Sequence, residues 1–195
     1  MKTYLFIDGT NLYAAQYELF GPKKYLDFPK FIREVEKRIK ARFDKIYFYA
    51  SYSPRPKRPT KKQKFYLKNE ALFYKGVRNT KNLVFFKGYR SETSGKEKGV
   101  DVKLAADLVA FAFLNRYDSV YLFSGDADFL QALFNIREFC NKKKIFLLCL
   151  NNKIMYKGAF HFKTYIIPFA KSKTKIHTSQ KIEFLNIKET IEACL

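Results

Sequence analysis

Thr3 to Ile7 is a short apolar run that stops at Asp8-Gly9-Thr10-Asn11, and a continuous run of that length with a polar end predicts a buried parallel strand. Phe28, Phe31, Ile32, Val35, Ile39 and Phe43 then recur at three- and four-residue spacing among Lys, Arg and Glu, which predicts an amphipathic helix of about four turns. Ile46 to Tyr52 reads as a second, aromatic strand. Pro54-Arg55-Pro56-Lys57-Arg58-Pro59 breaks the pattern, and Thr60 is placed to cap a helix reaching Lys75. Leu83 to Phe86 predicts a third strand, followed by a charged loop from Gly88 to Gly99 and a helix from about Val100 to Asn115. Ser119 to Phe123 predicts a fourth strand, ending in Ser124-Gly125-Asp126-Ala127-Asp128, with a helix to about Asn141 behind it. Ile145 to Leu150 is a fifth strand and Tyr165 to Pro168 a candidate sixth.

Alternating strands and helices predict an α/β fold, a three-layer sandwich around a mostly parallel sheet of five or six strands joined by right-handed crossovers. Residues 1–170 are expected to form one domain. Residues 171–195 are expected to be a basic linker, Lys171-Ser172-Lys173-Thr174-Lys175, and a short amphipathic helix marked by Phe184, Ile187, Ile191 and Leu195. That tail is expected to dock on its own domain, with homo-oligomerisation through it as the alternative.

Composition adds a sign to this frame. The chain has 195 residues, 47% of them hydrophobic, which suffices for one well-filled core. Its 38 Lys and Arg stand against 18 Asp and Glu, a formal charge of +20, far above what solubility asks for. A polyanionic partner accounts for this excess, and so does the Lys-rich usage that AT-rich coding imposes; clustering separates the two readings, because only clustered cations make a field. No apolar stretch approaches the ~20 residues that span a bilayer, so no membrane partner is expected. The run before Asp8 is too short for a secretory signal. Cys140, Cys149 and Cys194 show no CxxC spacing, which argues against structural zinc and suits a reducing compartment, so the cytoplasm is the expected address.

In so cationic a chain the positions of the acids are informative. Ligands of doubly wound sheets bind beyond the carboxyl ends of the strands, where the winding reverses. Asp8 ends the first strand, Asp126 and Asp128 follow the fourth, and Asp101 opens the helix that leaves the third strand's end. Any one of these alone is more often a helix N-cap than a ligand. Four at one edge favour a metal site, since convergent carboxylates are costly without a cation, and an all-oxygen set selects Mg²⁺ or Mn²⁺. Asn11 is placed to turn back toward Asp8 and hold a ligand or a bound water. Thr10 and Ser124 are supporting candidates. Asp107, six residues past Asp101, is expected to support the site or to pair with Lys103.

Three ordered blocks, Tyr4-Leu5-Phe6-Ile7-Asp8-Gly9-Thr10-Asn11-Leu12, Lys98-Gly99-Val100-Asp101-Val102 and Leu122-Phe123-Ser124-Gly125-Asp126-Ala127-Asp128-Phe129, resemble the NYN domain, a family of PIN-like nucleases that includes the bacterial LabA-like proteins. The resemblance covers roughly the first 150 residues. It implies a PIN-like, Rossmannoid sheet and a Mg²⁺- or Mn²⁺-dependent endoribonuclease whose catalytic and metal-binding residues are Asp8, Asp101, Asp126 and Asp128, with Asn11 beside them. Haloacid-dehalogenase-like phosphatases share an Asp-Gly-Thr but need a nucleophilic Asp where this chain has Phe6.

Substrate contacts are expected from two loops at the same edge: Arg55, Lys57, Arg58, Lys61, Lys62 and Lys64 after the second strand, and Lys87, Arg90, Lys96 and Lys98 after the third. These cations suit the phosphates of single-stranded RNA, and Tyr52, Tyr66 and Tyr89 are candidates for stacking bases or for core packing. The alternative function is a non-catalytic RNA-binding or adaptor module on the same fold.

Overall fold

The structure is a computed structural model that describes residues 1–21, 26–91, 97–140, 142–149, 182–186 and 193–194. Six parallel strands form its main sheet: β1 (Thr3–Asp8), β2 (Lys45–Ala50), β3 (Leu83–Lys87), β6 (Ser119–Phe123), β7 (Lys144–Cys149) and β8 (Ile182–Asn186), in the order β3-β2-β1-β6-β7-β8. A separate antiparallel ribbon pairs β4 (Tyr89–Arg90) with β5 (Glu97–Lys98). The chain winds outward from β1 to β3, then crosses back to β6 beside β1. That reversal is the topological switch point, where Ile7 is in register with Phe123 and Asp8 with Tyr49.

Both faces of the sheet are covered, which is why its central strands read as near-continuous apolar runs. On one side Leu12, Phe28, Phe31, Val35, Phe73 and Tyr74 close over Ile7, Phe48 and Phe123. They come from α1 (Gly9–Phe20), α2 (Phe28–Ile39) and α3 (Lys61–Arg78). On the other side α4 (Val100–Phe113) and α5 (Leu130–Phe139) bury Leu104, Leu108, Leu133 and Ile136 against Phe6, Leu122 and Leu147. No helix of the described residues is long and apolar enough to cross a membrane.

Local chemistry sets the boundaries. Thr60 and Gln63 make a reciprocal capping box at the start of α3, and Asp27 caps α2 by accepting from the Lys30 N–H at 3.0 Å. The apolar spacing predicts that α2 continues to Phe43, but it ends at Ile39, where Lys40 turns left-handed at φ 54°. Phe43 still reaches the core because the Glu36 carboxylate accepts its N–H at 2.8 Å. β2 likewise ends at Ala50, short of the expected Tyr52.

The tail departs most from expectation. Phe184 lies on β8, a strand parallel to β7, and not on an amphipathic helix; pairing on the open edge of β7 satisfies backbone groups along both strands. Residues 193–194 dock beside the start of α2, with the Asp27 N–H on the Cys194 carbonyl at 3.0 Å and Lys30 Nζ on that of Ala193 at 2.5 Å. The expected strand at Tyr165–Pro168, the boundary at 170 and the positions Ile187 and Ile191 lie outside the described residues.

Gly9 marks a close approach that fixes the end of β1. A Cβ there would lie 2.1 Å from Cε1 of the buried Phe48 ring. Gly9→Ala is therefore expected to cost roughly 1–3 kcal/mol, the usual penalty for overpacking, measurable by urea unfolding; an unchanged midpoint would mean that the ring has room to move.

Candidate metal centre at the switch point

Asp8 is the centre of the site. It ends β1, is 5% exposed, and holds the first turn of α1 through its Oδ1, which accepts the Asn11 N–H at 3.0 Å. Its Oδ2 accepts from the Ser124 hydroxyl at 3.0 Å, and Ser124 Oγ in turn accepts the Asp126 N–H at 3.1 Å. Asp126 Oδ1 accepts the Asp128 N–H at 2.9 Å. One hydrogen-bonded chain thus links the ends of the two strands that flank the switch point, and Ser124 does more than make a turn: it joins Asp8 to the Asp126 loop.

Burial pushes the Asp8 carboxyl up from 3.8 to about 7, and the charges of Asp101 and Asp126 push it the same way, against the lowering effect of the Asn11 N–H and the Ser124 hydroxyl. The three acids therefore share one electrostatic environment. They do not form a closed cage: among the described residues no three His, Cys, Asp or Glu side chains stand close enough together to hold an ion. Asp101 is exposed in the first turn of α4, and Asp126 is half-buried at the loop. Mutual repulsion favours such spacing, since drawing three carboxylates together without a cation is costly. Asp128 is exposed on the 3-10 turn Ala127–Phe129, where its backbone orients Asp126.

The expected convergence of Asp8, Asp101, Asp126 and Asp128 on one ion is therefore not seen among the described residues; what suits a hard divalent cation is the donor chemistry of the set. All of the donors are oxygens, as Mg²⁺ and Mn²⁺ prefer. Beside Asp8 the Asn11 Oδ1 is buried and has no hydrogen-bond partner; a buried polar atom left in that state calls for an ion or a bound water. Gly99, left-handed at φ 81°, precedes α4 and offers its first turn no side-chain cap, and that positive end of the helix suits the Asp101 carboxylate.

Asp107 has a different place. It bonds the Tyr49 hydroxyl at 2.9 Å and pairs with Lys103, tying α4 to β2. Pairing with Lys103 is one of the two outcomes expected of it.

Exposure, and not contact with a substrate, is what the structure shows for the described cations of the two loops. Arg55, Lys57, Arg58, Lys61, Lys62 and Lys64 are exposed along the segment that follows β2 and the start of α3, and Lys98 is exposed on β5. Thr10 lies half-buried in the first turn of α1. Only the backbone of Arg90 is described, and Lys96 lies outside the described residues. The tyrosines divide. Tyr89 is 66% exposed beside Gly99, whereas Tyr52 packs edge-on against Tyr74 beneath Arg78 and Lys87. Tyr66 is half-buried against Tyr13 and Tyr17.

Glu70 supports the start of the cationic loop, a role that the spacing of motifs does not reveal. Buried on α3, it takes the Ser53 N–H on both oxygens at 3.1 Å and the Ser53 hydroxyl at 2.6 Å, pinning the start of the cationic loop. The available signal is Asn69-Glu70, a polar pair on the buried face of α3.

None of the curated proteins matches the chain. A Vibrio parahaemolyticus protein of unknown function has a similar crystal structure, with a TM-score of 0.55 and 22% identity over 80% of this chain and 88% of that one, a likeness of fold. The family model of the NYN domain matches residues 2–159, a span that holds the whole switch-point edge with Asp8, Asp101, Asp126 and Asp128, and the chain therefore belongs to the NYN domain family, whose fold is of the PIN-like nuclease type.

Proposed function

We propose that this protein is a metal-dependent ribonuclease that hydrolyses phosphodiester bonds in single-stranded RNA. The observation that carries the reading is the state of Asp8: a buried carboxyl whose charge is opposed by Asp101 and Asp126 at the reversal of the sheet. Asp8 also caps α1, but a helix cap does not need two further acids that oppose its charge, a cost that a cation would relieve.

Asp8, Asp101 and Asp126 would hold Mg²⁺ or Mn²⁺, with Asp128 beside them. Such an ion supplies an ionised water and offsets charge on the phosphoryl oxygens. The chain's own residues do the positioning. Ser124 fixes the Asp8 carboxylate relative to the Asp126 loop, and the unpartnered Asn11 carbonyl oxygen is the group available to accept from a water. Arg55, Lys57 and Arg58 then neutralise phosphates on the approach. A non-catalytic RNA-binding module remains the alternative, and the buried acid speaks against it, because carboxylates repel the phosphates that a binder must attract.

The site opens at a sheet edge between loops, which favours a strand that can bend its backbone and splay its bases. Single-stranded RNA is expected to be cut faster than duplex RNA, duplex DNA or single-stranded DNA at equal salt in Mn²⁺. Preferential cleavage of a perfect duplex would overturn the single-strand reading. Changing Arg55, Lys57 and Arg58 together to Ala is expected to lower the log–log salt slope of binding by roughly 2, at about 0.7 for each phosphate contact on a single strand. An unchanged slope would assign the excess charge to coding bias.

A further inference from the structure

Beside the carboxyl end of β2 lies a cleft of about 410 Å³ lined by Tyr17, Pro54, Pro56, Tyr66 and Leu67 and by the polar side chains of Ser53, Lys62 and Gln63. We infer that it is a nucleobase subsite, which takes one unpaired base of the RNA strand a few nucleotides from the bond to be cut, while Lys62 meets that nucleotide's phosphate.

Volume, lining and neighbouring charge point to this occupant. The volume falls within the roughly 300–1,000 Å³ of small-ligand pockets, and the lining is mostly apolar, with two prolines and two tyrosines, side chains that suit the π-face of any base. Lys62 is part of the lining, and further cations are near in the chain: Arg55, Lys57 and Arg58 are exposed on the loop that supplies both prolines, and Lys61 is exposed at the start of α3. A mostly apolar slot with cations near it complements a nucleotide, whose base is flat and whose phosphate is anionic; a proline-rich peptide would not need those cations.

Position supports the same occupant. Asp8 is in register with Tyr49, and Ser53 follows Tyr49 by four residues, a span of at most about 14 Å of extended chain. The cleft and the switch-point acids therefore share one edge of the sheet.

The cleft is also held in shape before any ligand arrives. The buried Glu70 clamps Ser53 through its N–H and its hydroxyl. The Tyr66 ring stands edge-on to Tyr13 and Tyr17, at 5.2 and 5.1 Å between centroids, and the Tyr13 hydroxyl donates to the Tyr66 carbonyl at 3.3 Å. A preformed slot avoids the ordering cost that weakens binding by flexible loops.

This inference rests on the proposed single-strand function, yet it is testable without hydrolysis. A fluorescein-labelled uridine hexamer, and the same hexamer with one abasic ribose at each position in turn, are titrated in chelator against the wild type, Tyr66→Leu and Leu67→Trp; the second variant fills the cleft and leaves the Tyr66 ring in place. For the wild type, one abasic position is expected to weaken binding by roughly 10- to 100-fold, the range of a lost base–aromatic stack. Either folded variant, checked by circular dichroism, is expected to bind the intact hexamer more weakly and to be indifferent to that abasic position. An equal abasic penalty in the wild type and in both variants, or none in the wild type, overturns the subsite. Displacement of the hexamer by a proline-rich peptide overturns it as well, in favour of a protein ligand. A Tyr66-dependent penalty in a protein that cuts no RNA in Mn²⁺ would leave the subsite standing and remove the nuclease reading alone.

Discussion

Asp8→Asn is expected to stabilise the metal-free protein at pH 7 and above by up to about 4 kcal/mol, while abolishing cleavage. The sign follows from proton linkage. In the native state the Asp8 carboxyl titrates at about 7 instead of 3.8, first because it is buried and then because Asp101 and Asp126 oppose its charge. Between these values the native state holds a proton that the unfolded chain has released, so stability falls as the pH rises from about 4, and the loss is complete above about 7. At 1.36 kcal/mol for each unit of pKa, the whole loss is about 4 kcal/mol. Asparagine carries no charge at any of these pH values and can still accept the Asn11 N–H, while its NH₂ cannot accept from the Ser124 hydroxyl, which must turn to accept instead; the value of about 4 kcal/mol is therefore an upper bound. Urea unfolding from pH 4 to 8 in chelator checks the expectation: the wild-type curve should decline relative to that of the variant, and parallel curves would mean that Asp8 is not held protonated. Mn²⁺ should reverse the order at pH 7, because a ligand that binds only the native state stabilises it and the variant lacks the carboxylate to bind it.

Asp126→Asn is expected to reduce RNA cleavage by more than roughly 100-fold, beyond the 10–100-fold that loss of a supporting partner of a metal ligand costs, while RNA binding stays equal or tightens. The backbone N–H of Asp126 holds Ser124 and its Oδ1 accepts from Asp128, and asparagine preserves both contacts. What changes is one negative charge facing the phosphates. Binding in chelator and single-turnover cleavage in Mn²⁺ separate the two effects. A variant that cuts as fast as its parent would exclude Asp126 as a ligand.

Much of this site is legible in the sequence because its parts are short-range. Strand ends and helix starts are written in local patterns: the apolar run into Asp8 and Thr60 three residues before Gln63 need no knowledge of the rest of the fold. Alternation of strands and helices then brings Asp8, Asp101 and Asp126 to one edge, since parallel strands all present their carboxyl ends on the same side. The contacts that were not legible are those between distant segments. Ser124 meets Asp8 across 116 residues, and Glu70 meets Ser53 because α3 folds back over the end of β2. Phe184 illustrates the same limit. Apolar positions at 184, 187 and 191 suggest a helical stripe, but the open edge of β7 pairs with Ile182–Asn186 as a strand; an edge offers backbone partners that periodicity does not report.

The account stands most directly on the divalent-metal dependence of RNA cleavage. Purified wild-type protein and Asp126→Asn protein, prepared identically, are incubated with an end-labelled single-stranded RNA in Mn²⁺, in Mg²⁺ and in chelator. Cleavage by the wild type in metal alone, absent from the chelator lane and from the variant, is the predicted result. Equal cleavage by both preparations, cleavage that survives chelation, or an intact RNA in every lane would contradict it.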